Sequence, residues 1–196
     1  MGGKDMRVLF ISPPNPFLEN PRSVPRIGLL YLGTTLQKAG HEVTICHLSS
    51  LRELEAIAAN LVFDFIGISA TTREYPDAVQ MLNYLKREDH PATVAIGGPH
   101  PTALPEECLR NGFDLVVTGE ADDDIEQLVL LHPEHPRIWY CEYVNELNHL
   151  PFPDRTLLSE QDTWQPFLYL LQEKDIKIAS ILLSRGCPYS CTFCGP

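Results

Sequence analysis

The order of apolar runs constrains this chain more than any single residue does. Met6-Arg7-Val8-Leu9-Phe10-Ile11 is nearly continuous rather than alternating, the pattern of a strand covered on both faces. A helix is expected over 25–39, where Ile27, Leu30, Tyr31 and Thr34 share one stripe and Gly40 is placed to end it. Further strands are expected at 41–48, 64–70, 93–97, 114–118 and 137–141, with helices at 51–61, 75–87, 103–110 and 121–131 between them. Strict strand–helix alternation with right-handed crossovers gives an α/β fold with a doubly wound parallel sheet, Rossmann-like or flavodoxin-like. After Glu142 the alternation breaks, and Leu150-Pro151-Phe152-Pro153-Asp154-Arg155 reads as a linker.

In such a sheet, ligands bind at the carboxyl ends of the strands. Four loops therefore matter: 12–16, 69–74, 97–102 and 118–122. None contains G-x-G-x-x-G, and the first has proline where a dinucleotide cradle needs glycine, which disfavours NAD or FAD. These loops are small, polar and stiffened by proline. They suit a broad, flat ligand held by backbone groups and hydroxyls.

With 196 residues and 44% hydrophobic content, the chain can build one full domain and an appendage. A formal net charge of −11 argues against nucleic-acid binding through phosphate neutralisation and against an anionic membrane surface. No apolar run reaches the length of a membrane helix, and residues 1–6 lack the apolar core of a signal peptide. Position 6 is Met, which breaks the myristoylation pattern, so a cytoplasmic protein is expected. Cys46, Cys108 and Cys141 are scattered singly and read as small buried hydrophobes rather than as a disulfide scaffold.

The other three cysteines are grouped. Cys187, Cys191 and Cys194 stand at C-x3-C-x2-C directly after the apolar run Ile178-Ala179-Ser180-Ile181-Leu182-Leu183. A cubic iron–sulfur cluster usually takes four cysteines, so three leave one iron open to a substrate or cofactor. A zinc site usually needs a fourth Cys or His, and none follows. With Phe193 before the last cysteine and Ser184-Arg185-Gly186 before the first, this loop resembles the signature of the radical S-adenosylmethionine (radical SAM) superfamily. The resemblance implies a [4Fe-4S] cluster on Cys187, Cys191 and Cys194. Its open iron would chelate SAM, whose reductive cleavage gives a 5′-deoxyadenosyl radical. The family places this loop after the first strand of a (β/α) barrel of about 200 residues or more. Only two residues follow Cys194, so the expectation is a fragment of a longer protein or a remnant.

The series of loop sequences resembles a narrower family. Ile27-Gly28-Leu29-Leu30-Tyr31-Leu32, Ala39-Gly40-His41-Glu42-Val43 and Ile66-Gly67-Ile68-Ser69-Ala70-Thr71-Thr72 come first. Gly97-Gly98-Pro99-His100-Pro101-Thr102, Val117-Thr118-Gly119-Glu120 and the 150–155 stretch follow, and the cysteine loop closes the series. In this order they resemble the N-terminal cobalamin-binding domain of cobalamin-dependent (class B) radical SAM enzymes. The resemblance implies a corrin ring across the strand ends, with the nucleotide tail beside 69–72 and 97–100. Implied cofactor contacts are Ser12, Pro13, Ser69, Thr71, Thr72, Gly97, Gly98, Pro99, His100, Gly119 and Glu120.

The Asp-x-His-x-x-Gly loop of cobalamin-dependent mutases is absent, because Asp89-His90-Pro91 has the wrong spacing. Base-off cobalt, without a histidine from that motif, is therefore expected. His100 reads as a hydrogen-bonding loop residue, with a ligand role kept open. Where family members often carry Gly-Glu-Gly-Glu, this chain has Gly119-Glu120-Ala121-Asp122-Asp123-Asp124, without the second glycine. This acidic stretch reads chiefly as first-turn helix carboxylates, with Glu120 the better ligand contact.

The expected organisation is a cobalamin-binding domain at 1–142, a linker at 143–175 and the start of a radical SAM domain at 176–196. The implied parent reaction is methyl transfer from methylcobalamin, for which this chain alone lacks the barrel. The alternatives are an inactive remnant that packs or binds a partner, whether the barrel or another chain, and a flavodoxin-like binder of another small ligand.

Overall fold

The computed structural model describes residues 5–15, 17, 25–159, 181–187, 189 and 191–192. Six strands form one sheet: β1 (Arg7–Ser12), β2 (Glu42–His47), β3 (Phe65–Ser69), β4 (Thr93–Gly97), β5 (Leu115–Thr118) and β6 (Arg137–Tyr140). The order is β2-β1-β3-β4-β5-β6, and every pairing is parallel. The chain moves outward from β1 to β2, then crosses back to β3. This reversal places a topological switch point between the carboxyl ends of β1 and β3.

Helices cover both faces, which is why the strand sequences are continuous apolar runs rather than alternating ones. On one face α2 (Leu51–Asn60), α3 (Tyr75–Arg87) and α5 (Pro105–Arg110) close a core around Leu9, Ile11, Ile66, Ile68, Ile96 and Val116. On the other, α1 (Ile27–Lys38) and α6 (Ile125–Leu128) pack over Val8, Phe10, Phe65, Ala95, Leu115 and Val117. The alternation of side chains along each strand assigns neighbours to opposite faces.

Two helices depart from the sequence expectation. The helix expected at 103–110 is two pieces, α4 (Pro99–Ala103) and α5, broken at Leu104 with φ −135° and ψ 58°. Pro105 is the cause, because its ring pushes the preceding residue out of the helical region. The helix expected at 121–131 is only the four residues of α6, preceded by a turn over 122–124. The carboxylates of that turn are engaged elsewhere, as described below.

The segment after β6 folds back on the domain. Val144 is buried, Leu157 and Leu158 pack against the α1-side core, and Asp154 N donates to Thr34 Oγ1 at 2.7 Å. The apolar run 178–183 lies partly outside the described residues, and its described part, Ile181–Leu183, carries no regular element. Among the described residues, no helix is long and apolar enough to cross a membrane.

Of the scattered cysteines, Cys108 is buried as expected, whereas Cys46 and Cys141 are half-buried. Cys46 lies on the edge strand β2, and Cys141 follows the opposite edge strand β6, so each has neighbours on fewer sides. Burial pushes the Cys108 thiol up to about 11 and, with Asp124 and Asp122 nearby, the Cys141 thiol up to about 12. Both are poor sources of thiolate and behave as packing groups.

Candidate functional site

A cavity of about 430 Å³ opens at the carboxyl ends of β3, β4 and β5 and runs between the sheet and helices α1 and α6. Register explains its existence. Phe10, Gly67 and Ala95 are direct partners across β1, β3 and β4, and Ser69 faces Gly97 in the next row. Alternation sends all of these toward α1 and α6. Where neighbouring strands should fill the layer with large side chains, they offer glycine, alanine and serine. Glycine inside a strand marks a place where something approaches the backbone closely.

The glycines do different work. A Cβ on Gly67 would stand 2.8 Å from the Phe10 ring, so that ring lies directly on bare backbone. A Cβ on Gly97 would have its nearest neighbour at 3.9 Å, and one on Gly28 would meet nothing within 4 Å. Both positions therefore face open space. At the mouth, Gly98 has φ 100°, and a Cβ there would sit 3.2 Å from Ala70 O. Gly119 has φ 77°, and a Cβ would lie 2.3 Å from Cys141 O. These two turns admit only glycine.

The walls are apolar: Leu29 and Leu32 from α1, Ile125 and Leu128 from α6, and Val117 from β5. The rim is charged. Arg26, just before α1, donates from Nε to Ser12 Oγ at 3.0 Å and pairs through Nη2 with Glu74 Oε1. The other Glu74 oxygen accepts from Thr71 N and Thr71 Oγ1, both at 2.9 Å. The Glu74 side chain is 1% exposed, so it depends on these partners for compensation. On the far rim, Arg185 donates to both Asp122 oxygens, at 2.8 and 3.1 Å.

The structure thus sorts the residues singled out from the sequence. Ser69, Gly97, Gly98, Pro99, Gly119 and Glu120 line the cavity. Ser12 and Thr71 have their hydroxyls engaged in the Arg26–Glu74 group beside it, and Pro13 is buried next to Ser12. Thr72 is exposed, with Oγ1 3.3 Å from His100 Nδ1. Cys187 and Cys191 are exposed and free, while Cys194 lies outside the described residues. Among the described residues, no three His, Cys, Asp or Glu side chains converge as a metal site. Sequence reasoning missed Arg26, Gly28, Gly67 and Asp122 as rim and lining residues. Gly67, a lone glycine inside an apolar strand, was the available signal.

His100 sits on the other face of the sheet from the cavity walls. It is 2% exposed and stacks on Tyr75, with ring centroids 3.8 Å apart, and its Nε2 has no hydrogen-bond partner. Burial pushes its imidazole below the usual range, against a smaller opposing pull from Glu107, and burial does the same to His90. A base depressed in this way binds fewer protons folded than unfolded. Its stability contribution is complete above the unfolded value of 6.5 and falls as pH drops below that value. The exposed His149, raised by Asp123, acts in the opposite sense, its contribution being lost as pH rises through its raised value. His100 and His90 should therefore cost the chain stability as pH falls below about 6.5, and His100→Phe, which keeps a ring on Tyr75, should shrink that loss. Urea denaturation across this range checks it; an unchanged pH slope in the variant would remove His100 as a cause.

Comparison with known proteins fits this geometry. The B12 binding domain profile matches residues 21–129, more than half of the chain. The chain belongs to the B12-binding domain family. The matched span of this B12-binding domain begins before α1 and ends after α6, and so includes both helices that wall the slot. An uncharacterized methyltransferase of Pyrococcus horikoshii is 27% identical over 97% of this chain and 45% of its own length. The anaerobic magnesium-protoporphyrin IX monomethyl ester cyclase of Synechocystis sp. is 24% identical over 97% of this chain and 42% of its own. The hopanoid C-3 methylase of Methylococcus capsulatus is 24% identical over 86% of this chain and 35% of its own. The chain thus spans less than half the length of these relatives. The cobalamin-dependent S-adenosylmethionine radical enzyme OxsB, solved with aqua-cobalamin bound, shares the fold with TM-score 0.56 at 14% identity. That match covers 64% of this chain and 18% of OxsB. The resemblance to cobalamin-dependent radical SAM enzymes drawn from the sequence agrees with these findings.

Proposed function

We propose that this chain is the corrinoid-holding part of a radical SAM methyltransferase. In this reading it seats the nucleotide arm of cobalamin in the slot and the corrin ring across the strand ends. The observation that carries the reading is the slot itself. It is an apolar layer gap, open at Gly97 of β4 and Gly28 of α1, at the sheet edge where doubly wound folds bind ligands. A flat aromatic base suits such a gap, because burial of its faces needs no polar partner there. Gly98 and Gly119 set the tight turns at the mouth, and Ser69 lines it with a hydroxyl that a bound ligand would meet. The Arg26–Glu74 group keeps loop 69–74 in place beside it.

Cys187, Cys191 and Cys194 would hold a [4Fe-4S] cluster with one open iron for SAM, a reading that rests on their spacing. When bound, the corrinoid supplies the methyl group and SAM supplies the radical that activates the acceptor carbon. This chain's residues bind, orient and exclude water. The relatives named as methyltransferase and methylase support methyl transfer as the reaction of the whole protein.

The test is spectroscopic. The purified chain is mixed anaerobically with hydroxocobalamin or with cobinamide, which lacks the nucleotide arm, then desalted. Stoichiometric retention of hydroxocobalamin with a base-off spectrum, and loss of cobinamide, is expected. Loss of both on desalting would sink the reading. A spectrum of histidine-ligated cobalt would overturn the base-off assignment.

A further inference from the structure

We infer that the acidic stretch after β5 is a docking rail for the downstream chain, and that Arg185 is the residue that positions the cysteine-bearing segment as one wall of the slot. Four carboxylates in this stretch each hold a different downstream segment. Glu120 accepts from Val144 N at 2.8 Å, and Asp124 accepts from Trp139 Nε1 at 3.2 Å. Asp123 pairs with His149 Nε2 at 2.6 Å, and Asp122 takes the Arg185 fork. The first-turn capping role expected for this stretch is not what it does. Asp124 stands at the N-cap of α6 yet makes no side-chain cap bond.

The Arg185 contact is the strongest of the four on physical grounds. It is bidentate, and the side chains are only 15% and 9% exposed, so the pair escapes most of the screening that empties surface ion pairs of value. Glu120 adds a second carboxylate at 3.8 Å, and the guanidinium lies over the Tyr31 ring at 4.9 Å. Tyr31 is on α1 and Asp122 precedes α6, so one side chain bridges the two helices that wall the slot. Arg185 and Leu182 themselves line the cavity. Only Gly186, in the left-handed region at φ 82°, separates Arg185 from Cys187. One short segment thus lines the slot and leads directly to Cys187. Slot contents and cysteine position are therefore coupled through Arg185. That coupling rests on the corrinoid reading, whereas the latch does not.

The bond after Arg185 is itself a trypsin site, so the latch can be read without any cofactor. In the 196-residue chain, Asp122→Asn should speed cleavage at position 185 by roughly tenfold, because cleavage follows the population of the opened segment. Asp122→Glu should restore much of the protection. Arg185→Lys, which keeps the charge and the cleavage site but loses the fork, should also be cleaved faster and does not touch the core. Equal rates in the parent, Asp122→Asn and Arg185→Lys would overturn the latch.

Hydroxocobalamin should slow cleavage of the parent at least threefold and leave Asp122→Asn unprotected. Hydroxocobalamin retained on desalting but without effect on cleavage of the parent would overturn the coupling. Faster cleavage of both variants, with no corrinoid retained by any chain, would support the latch while removing the corrinoid reading.

Discussion

Gly97→Leu should weaken hydroxocobalamin binding by at least about a hundredfold, close to 3 kcal/mol, while leaving the fold intact. The argument is one of volume. The Gly97 Cβ position has ordinary backbone geometry and its nearest neighbour at 3.9 Å, so a side chain can be built without strain. That side chain then points into the slot. Overpacking penalties arise when an added group meets a filled core, and here the neighbouring row is Ser69 and open cavity. Stability should change by less than about 1 kcal/mol, since the new methyl groups are buried against Val117 rather than exposed. Binding and unfolding measured on the same preparation separate the two effects. Unchanged affinity in a folded Gly97→Leu chain would mean that the slot is not where the corrinoid arm goes.

Arg26→Met should destabilise the chain by about 3 kcal/mol, the low end for breaking a buried ion pair because Arg26 keeps some contact with water. The cost lies with Glu74, 1% exposed and left, among the described residues, with Thr71 as its side-chain partner. Loop 69–74 would loosen with it, so corrinoid binding should weaken in parallel. The double variant Arg26→Met/Glu74→Gln should recover part of the loss, since the amide removes the uncompensated charge. Urea unfolding decides it. A loss below about 1 kcal/mol for the single variant would show that water reaches Glu74 and that the pair does not organise the rim.

The parallel sheet was legible from the sequence because hydrophobic periodicity is local. The run ending at Ile11, the stripe Ile27–Leu30–Thr34 and the stop at Gly40 each reveal an element without knowledge of the others. Helix α3 and strand β4 fall at the residues expected, and the strand ends that carry the site follow from parallel topology. The family's glycine turns were equally visible, and the structure gives them their reason in the positive φ of Gly98 and Gly119.

The slot was not legible. The small residues Ala95, Ser69 and Gly97 line a cavity only because register sets them in neighbouring rows beside Phe10 and Gly67, and register is fixed by pairing between strands rather than within one. The acidic stretch misled for the same reason. A carboxylate before a helix has a local use as a cap, and only the folded chain brings Arg185 to Asp122 across 63 positions and His149 to Asp123 across 26. The sequence by itself determined the elements, their alternation and the edge that carries the candidate site, since these depend on short-range pattern. The tertiary structure alone decided where the layer is hollow and which distant residues line it, since both depend on contacts between residues far apart in the chain.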